Sequence, residues 1–85
     1  MMNDGLFVGQ MNFIIGRVYN IKQEYEISAC FHEKHLNLAQ QFQDTKGQCR
    51  AYFILSQLYE KINQYDKAKK YLSLYKTLAK EVGRR

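Results

Sequence analysis

The densest run of chemistry-bearing side chains in this sequence is Cys30, His32, Glu33 and His35. Two histidines at i, i+3 share one face of a helix, a spacing that suits metal ligation. A closed metal site needs three or four ligands, and Cys49 is the one obvious recruit from elsewhere in the chain. Thiol, imidazole and carboxylate are also the parts of a nucleophile–base–orienter set. Their order here matches no recognisable catalytic arrangement, and nothing beside Cys30 in the sequence would activate its thiol. The glycines are scattered, so there is no phosphate-cradling loop. These residues are therefore expected to be packed, hydrogen-bonded histidines, with no metal, no other cofactor and no catalysis.

A second candidate is electrostatic. The formal net charge is +5, and it is uneven. Residues 1–43 hold Arg17, Lys22 and Lys34 against Asp4, Glu24, Glu26 and Glu33, a net −1, whereas residues 44–85 hold ten Lys/Arg against four Asp/Glu, a net +6. Lys69, Lys76 and Lys80 share a helix face, with Tyr65, Tyr71 and Tyr75 interleaved. Basic and aromatic groups together can hold a single-stranded nucleic acid. The plainer reading is a solvated lysine-rich face that attracts acidic partners.

The elements that must position these residues come from an internal repeat. The chain matches itself forty residues apart: Tyr19 with Tyr59, Tyr25 with Tyr65, Leu38 with Leu78, Ala39 with Ala79, and Phe13-Ile14 with Phe53-Ile54. Tyr65, Tyr71 and Tyr75 thus have counterparts in the first unit and are expected to pack rather than to stack on bases. A period of this size marks a stacked repeat architecture. With no proline and 46% hydrophobic residues, the chain suits long helices. Apolar spacing predicts four of them, over about Leu6–Ile21 (Phe7, Met11, Ile14, Ile15, Val18), Tyr25–Phe42, 45–61 and Tyr65–Val82. Asn3 or Asp4 is expected to cap the first. Thr45 with Gln48 reads as a capping box opening the third. Asn63 is a left-handed helix end, and Gly83 ends the fourth. Lys76, Lys80, Arg84 and Arg85 suit the negative pole of that helix. Turns of a few residues make consecutive helices antiparallel. Strand signals are absent.

On these residues the chain resembles the tetratricopeptide repeat family. The first unit reads Ile15-Gly16-x-x-Tyr19, then Tyr25-x-x-Ser28; the second reads Tyr52-x-x-Leu55-Ser56-x-x-Tyr59, then Tyr65-Asp66-Lys67-Ala68. Small residues at Gly16/Ser56 and Ser28/Ala68 would let paired helices approach closely. The run Phe31-His32-Glu33-Lys34-His35-Leu36 is similar to the long forty-residue repeats of the LGN/Pins-type G-protein-signalling modulators. The resemblance covers about residues 8–83. It implies one all-α domain over 1–85, with repeat units at about 6–43 and 46–83, stacked as a short right-handed solenoid.

It further implies a protein–protein interaction module whose first helices line an inner groove. The positions that would face it are Gln10, Phe13, Ile14, Arg17, Asn20 and Ile21, then Arg50, Phe53, Ile54, Gln57, Glu60 and Lys61. Such a face suits a peptide bringing apolar side chains and a carboxylate, with Arg17 or Arg50 as the charged anchor. The alternatives are self-association through exposed repeat faces and, behind it, a basic nucleic-acid-binding module. Tyr71, Tyr75, Leu78 and Val82 of the last helix are expected to lack a covering helix, which favours a homodimer or a place in a longer array. Two cysteines make no disulfide framework, no secretory signal is recognisable, and no apolar run is long enough to span a membrane. The expected location is the cytoplasm, with the nucleus as the alternative.

Overall fold

The computed structural model describes residues 4–84. Four α-helices follow one another: α1 (Asp4–Ile21), α2 (Tyr25–Gln41), α3 (Thr45–Lys61) and α4 (Tyr65–Gly83). Among the described residues there is no strand, and the fold is all-α as expected. α1 packs on α2, α2 on α3 and α3 on α4, so two helical hairpins stand in series. Asn3, the Asp4 side chain and Arg85, to which capping or dipole roles fell, lie outside the described residues.

The three turns are copies of one motif. Gln23, Gln43 and Asn63 adopt left-handed φ values of 64°, 57° and 63°. The N–H groups of these residues reach the carbonyls of Asn20, Gln40 and Glu60, and those of Glu24, Asp44 and Gln64 reach the carbonyls of Tyr19, Ala39 and Tyr59. This pair of bonds satisfies the carbonyls a helix leaves orphaned at its C-terminus. The start of α3 differs from expectation by one residue. Asp44, in extended conformation, is the cap, and its carboxylate accepts from the Gly47 N–H at 3.0 Å. Thr45 is the first helical residue, and Gln48 donates to the Ala39 carbonyl instead of reaching back. The chain leaves the preceding turn at Asp44, so Asp44 holds the capping position, for which Asp is preferred at least as strongly as Thr.

The molecule is only 16 Å thick along its shortest axis, little more than one helix with its side chains. The core is correspondingly small and centred on α3. Ala51, Leu55 and Leu58 are essentially inaccessible, in one cluster with Ala29 and Leu36 of α2. The forty-residue match holds in three dimensions. Tyr19 stacks on Phe31 with centroids 5.8 Å apart, and Tyr59 stacks on Tyr71 at 5.7 Å. Phe13 meets His35 at 5.3 Å and 49°, while Phe53 meets Tyr75 at 5.1 Å and 45°.

Two faces depart from what the sequence implies. Four of the apolar residues expected to pack turn away from α2: Phe7, Met11, Ile14 and Val18 are exposed, and among the described residues of α1 only Gly9 and Gly16 are buried. Conversely, α4 is not left with a bare apolar face. Tyr71, Tyr75 and Leu78 are half-buried against the core, and Val82 is half-buried too. The α4 positions that match Ala29, Glu33, Leu36 and Gln40 of α2 are Lys69, Ser73, Lys76 and Lys80, all exposed. Where α2 receives another helix, α4 meets water with lysines.

Glu33 ties α2 to both helices of the second hairpin. Its carboxylate accepts hydrogen bonds from the hydroxyls of Tyr59, at 2.8 Å, and Tyr71, at 2.9 and 3.1 Å. Burial, and the carboxylate beside them, push both phenols well above the ordinary tyrosine range. Charge-assisted bonds of this kind contribute about 1.5–3 kcal/mol each, and removing the acceptor strands two donors. Glu33→Ala is expected to cost about 2–3 kcal/mol in urea unfolding, whereas Asn37→Ala, at an exposed position of the same helix, should stay within about 0.5 kcal/mol. Equal effects of the two substitutions would refute this role for Glu33.

Candidate functional site

The expected groove positions divide into two groups. Phe13, half-buried on α1, is the centre of the first. Its ring lies edge-on to His32, with centroids 5.4 Å apart, and tilted against His35. From the other side the Arg50 guanidinium stands 4.5 Å from the ring centroid and that of Arg17 stands 6.0 Å away. Each such contact adds about 0.5–1 kcal/mol at an exposed site. Among the described residues the Cα atoms of α1 and α3 do not come within 8 Å of each other. Arg50 on α3 therefore reaches across a furrow to Phe13 on α1. Gln10 borders a cleft of about 300 Å³ at one end, beside His35, Leu38, Phe42 and Asp44.

The remaining positions are more dispersed. Phe53 sits on Tyr75 and is still 40% exposed. Ile54 packs against the core and is not free. Ile14, Ile21, Gln57 and Glu60 are exposed, Asn20 is half-buried, and Lys61 extends over the ring of Tyr25 at 4.8 Å. The first unit thus has an aromatic floor with two cations over it, while the second offers a tyrosine-backed phenylalanine with none.

The histidines beneath Phe13 are buried, as expected, but only one is hydrogen-bonded. His35 Nδ1 donates to the Gly9 carbonyl at 2.9 Å, and both ring nitrogens of the inaccessible His32 lack a partner. His32 fits because position 16 is glycine: a Cβ there would lie 2.7 Å from the imidazole Cδ2 and Nε2. Beside it, the inaccessible Ser28 hydroxyl donates to the Gly16 carbonyl at 2.6 Å. Among the described residues no three His, Cys, Asp or Glu side chains are grouped to hold a metal. Cys30 is exposed and Cys49 half-buried.

The lysine face of α4 keeps one free ring. Tyr71 and Tyr75 are half-buried, but Tyr65, expected to pack, is 57% exposed with its hydroxyl on Asn63. Its counterpart Tyr25 packs against the core beneath Lys61, whereas among the described residues no helix covers Tyr65. The Glu33 hub was missed by the sequence reading. A lone carboxylate six residues before the buried Ala39 carries no pattern of its own; the repeat tyrosines Tyr59 and Tyr71 were the available signal. No protein-family model matches the chain, and no curated protein matches it significantly.

His32 gives the site a pH dependence. Burial first, then the neighbouring His35, Arg17 and Arg50, lowers its pKa from 6.5 to about 4. The unfolded chain takes up this proton near pH 6.5 and the folded chain only near 4. The unfolded state therefore binds more protons in that window, and stability falls as the pH drops through it. About 2 kcal/mol should be lost between pH 7.5 and 5. His32→Leu removes the titrating ring and should remove most of that slope, whatever it costs in packing at neutral pH. Urea melts across the range check this; an unchanged slope in the variant would assign the pH dependence to other groups.

Proposed function

We propose that this chain is a non-catalytic protein–protein interaction module of tetratricopeptide-like architecture. In this reading the furrow between α1 and α3 takes an extended peptide that carries an apolar side chain next to a carboxylate. The observation that carries it is the arrangement around Phe13: a half-buried ring, fixed from below by His32 and His35 and flanked above by the exposed guanidiniums of Arg17 and Arg50. Arginine over an aromatic is a preorganised site for a carboxylate, since the fork is already held before the ligand arrives. Lys61 adds positive charge on the same face of α3, against Glu60 alone. The acidic preference agrees with the basic second half of the chain.

A display selection of random twelve-residue peptides on the immobilised chain tests this reading. Selected sequences should combine Asp or Glu, or a free C-terminal carboxylate, with a neighbouring apolar residue. Arg50→Glu should weaken a selected peptide at least tenfold, about 1.4 kcal/mol, and Phe13→Ala comparably, with circular dichroism unchanged. Binding that survives both Arg17→Glu and Arg50→Glu would place the site elsewhere.

A further inference from the structure

The outward face of α1 is an apolar stripe that no described residue covers. Phe7, Met11, Ile14, Val18 and Ile21 recur at i, i+4, i+7, i+11 and i+14, one side of a helix. The helix turns its glycines, Gly9 and Gly16, to α2 instead. Exposure reaches 62% at Phe7 and 77% at Ile21, and Val8, Met11, Ile14 and Val18 are 40–51% exposed. The repeat shows what such a face is built for. Met11 and Val18 match Ala51 and Leu58 of α3, which are sealed into the core cluster with Ala29 and Leu36 of α2.

We propose that a second copy of this chain covers the stripe, α1 against α1, in a two-fold antiparallel pair. Three observations commit the occupant. The first is area: the five stripe side chains leave on the order of 500 Å² of apolar surface in water, within the range of the largest patch a monomer shows. Pairing two copies removes up to about 1,000 Å², the low end of what a specific interface buries. The second is the mismatch at the other end. Head-to-tail stacking would set the stripe on α4, whose corresponding face is Lys69, Ser73, Lys76 and Lys80, and would bury those ammonium groups on hydrocarbon. An isologous contact uses the same patch twice and closes, so the lysine faces stay in water at both ends of the pair. The third is direction. A parallel pair sets Arg17 opposite its own copy and aligns the helix dipoles. The antiparallel pair avoids both, with Ile14 at the two-fold axis and Phe7 over Ile21 of the partner. The stripe borders the Phe13–Arg50 furrow and shares Ile14 and Ile21 with the expected groove face, but self-association measured without peptide is read apart from peptide binding.

Sedimentation equilibrium of the 85-residue chain should show a reversible rise from 10.1 kDa to twice that mass. The upper loading is about 200 µM, above the micromolar Kd that a modest interface gives. Ile14→Asp should return it to monomer with unchanged helicity, and Lys76→Glu should leave the dimer intact. In a Cys30→Ser, Cys49→Ser background, a mixture of Phe7→Cys and Ile21→Cys chains should form a mixed disulfide, while neither alone does. A chain that stays monomeric at the top concentration overturns the proposal and leaves the stripe to another protein. So does a dimer that survives Ile14→Asp, or one that Lys76→Glu breaks. Self-linking of Phe7→Cys alone would overturn the antiparallel arrangement.

Discussion

The close approach of α1 to α2 at Gly16 is the constraint on which the rest of the molecule turns. With no side chain at position 16, the His32 ring occupies the space a Cβ would take, and the Ser28 hydroxyl reaches the Gly16 carbonyl. A second short bond, His35 to the Gly9 carbonyl, lies two turns back along the same seam. Two polar anchors and two glycines fix the rotation of α1 about its own axis. Once that rotation is set, Phe13 must fall on the two imidazoles, where Arg50 can reach it. The apolar arc at Phe7, Met11, Ile14 and Val18 must also point away from α2. The aromatic floor and the bare stripe are two consequences of one seam.

The same seam explains why the two hairpins differ despite their common sequence. The second hairpin has Ser56 where the first has Gly16, Leu72 where it has His32, and Ala68 where it has Ser28. Ser56 bonds to the Phe53 carbonyl within its own helix, so nothing polar crosses from α4 to α3 at that point. Apolar contact and ring stacking hold that pair together, and the Glu33 carboxylate supplies the polar tie from a third helix. Polar bonds in a thin molecule are less screened from solvent than in a thick one, and this one is 16 Å deep. Among the described residues the buried side-chain polar atoms without a partner are both ring nitrogens of His32 and Nε2 of His35.

Much of the fold was legible in the sequence because it depends on local rules that repeat. Helix number, order and bounds follow from apolar spacing and from turns that recur every twenty residues. Gly16 and Ser28 were readable as close-approach positions from their size alone. Less legible was the choice between faces of α1. Its apolar periodicity points to Phe7, Met11, Ile14 and Val18 as a packing face, and that reading is correct about what the face is suited for. It does not say that the glycine seam outcompetes it for α2. Nor does spacing reveal Arg50 over Phe13, because the contact joins helices that are not adjacent and depends on how far the hairpins splay. Asp44 displaced Thr45 as a cap because the turn, not the helix, decided which residue stood at the boundary.

The two ends of the molecule carry opposite solutions to one problem. A helix in a stacked series has a face made to receive its neighbour, and at the last helix that face must either be covered or be made polar. On α4 it is made polar, with lysines and a serine where α2 has alanine, leucine, glutamate and glutamine. On α1 it is left as hydrocarbon of the kind that α3 buries completely. In the proposed pairing the apolar face of α1 meets its own copy while the lysine face of α4 stays in water.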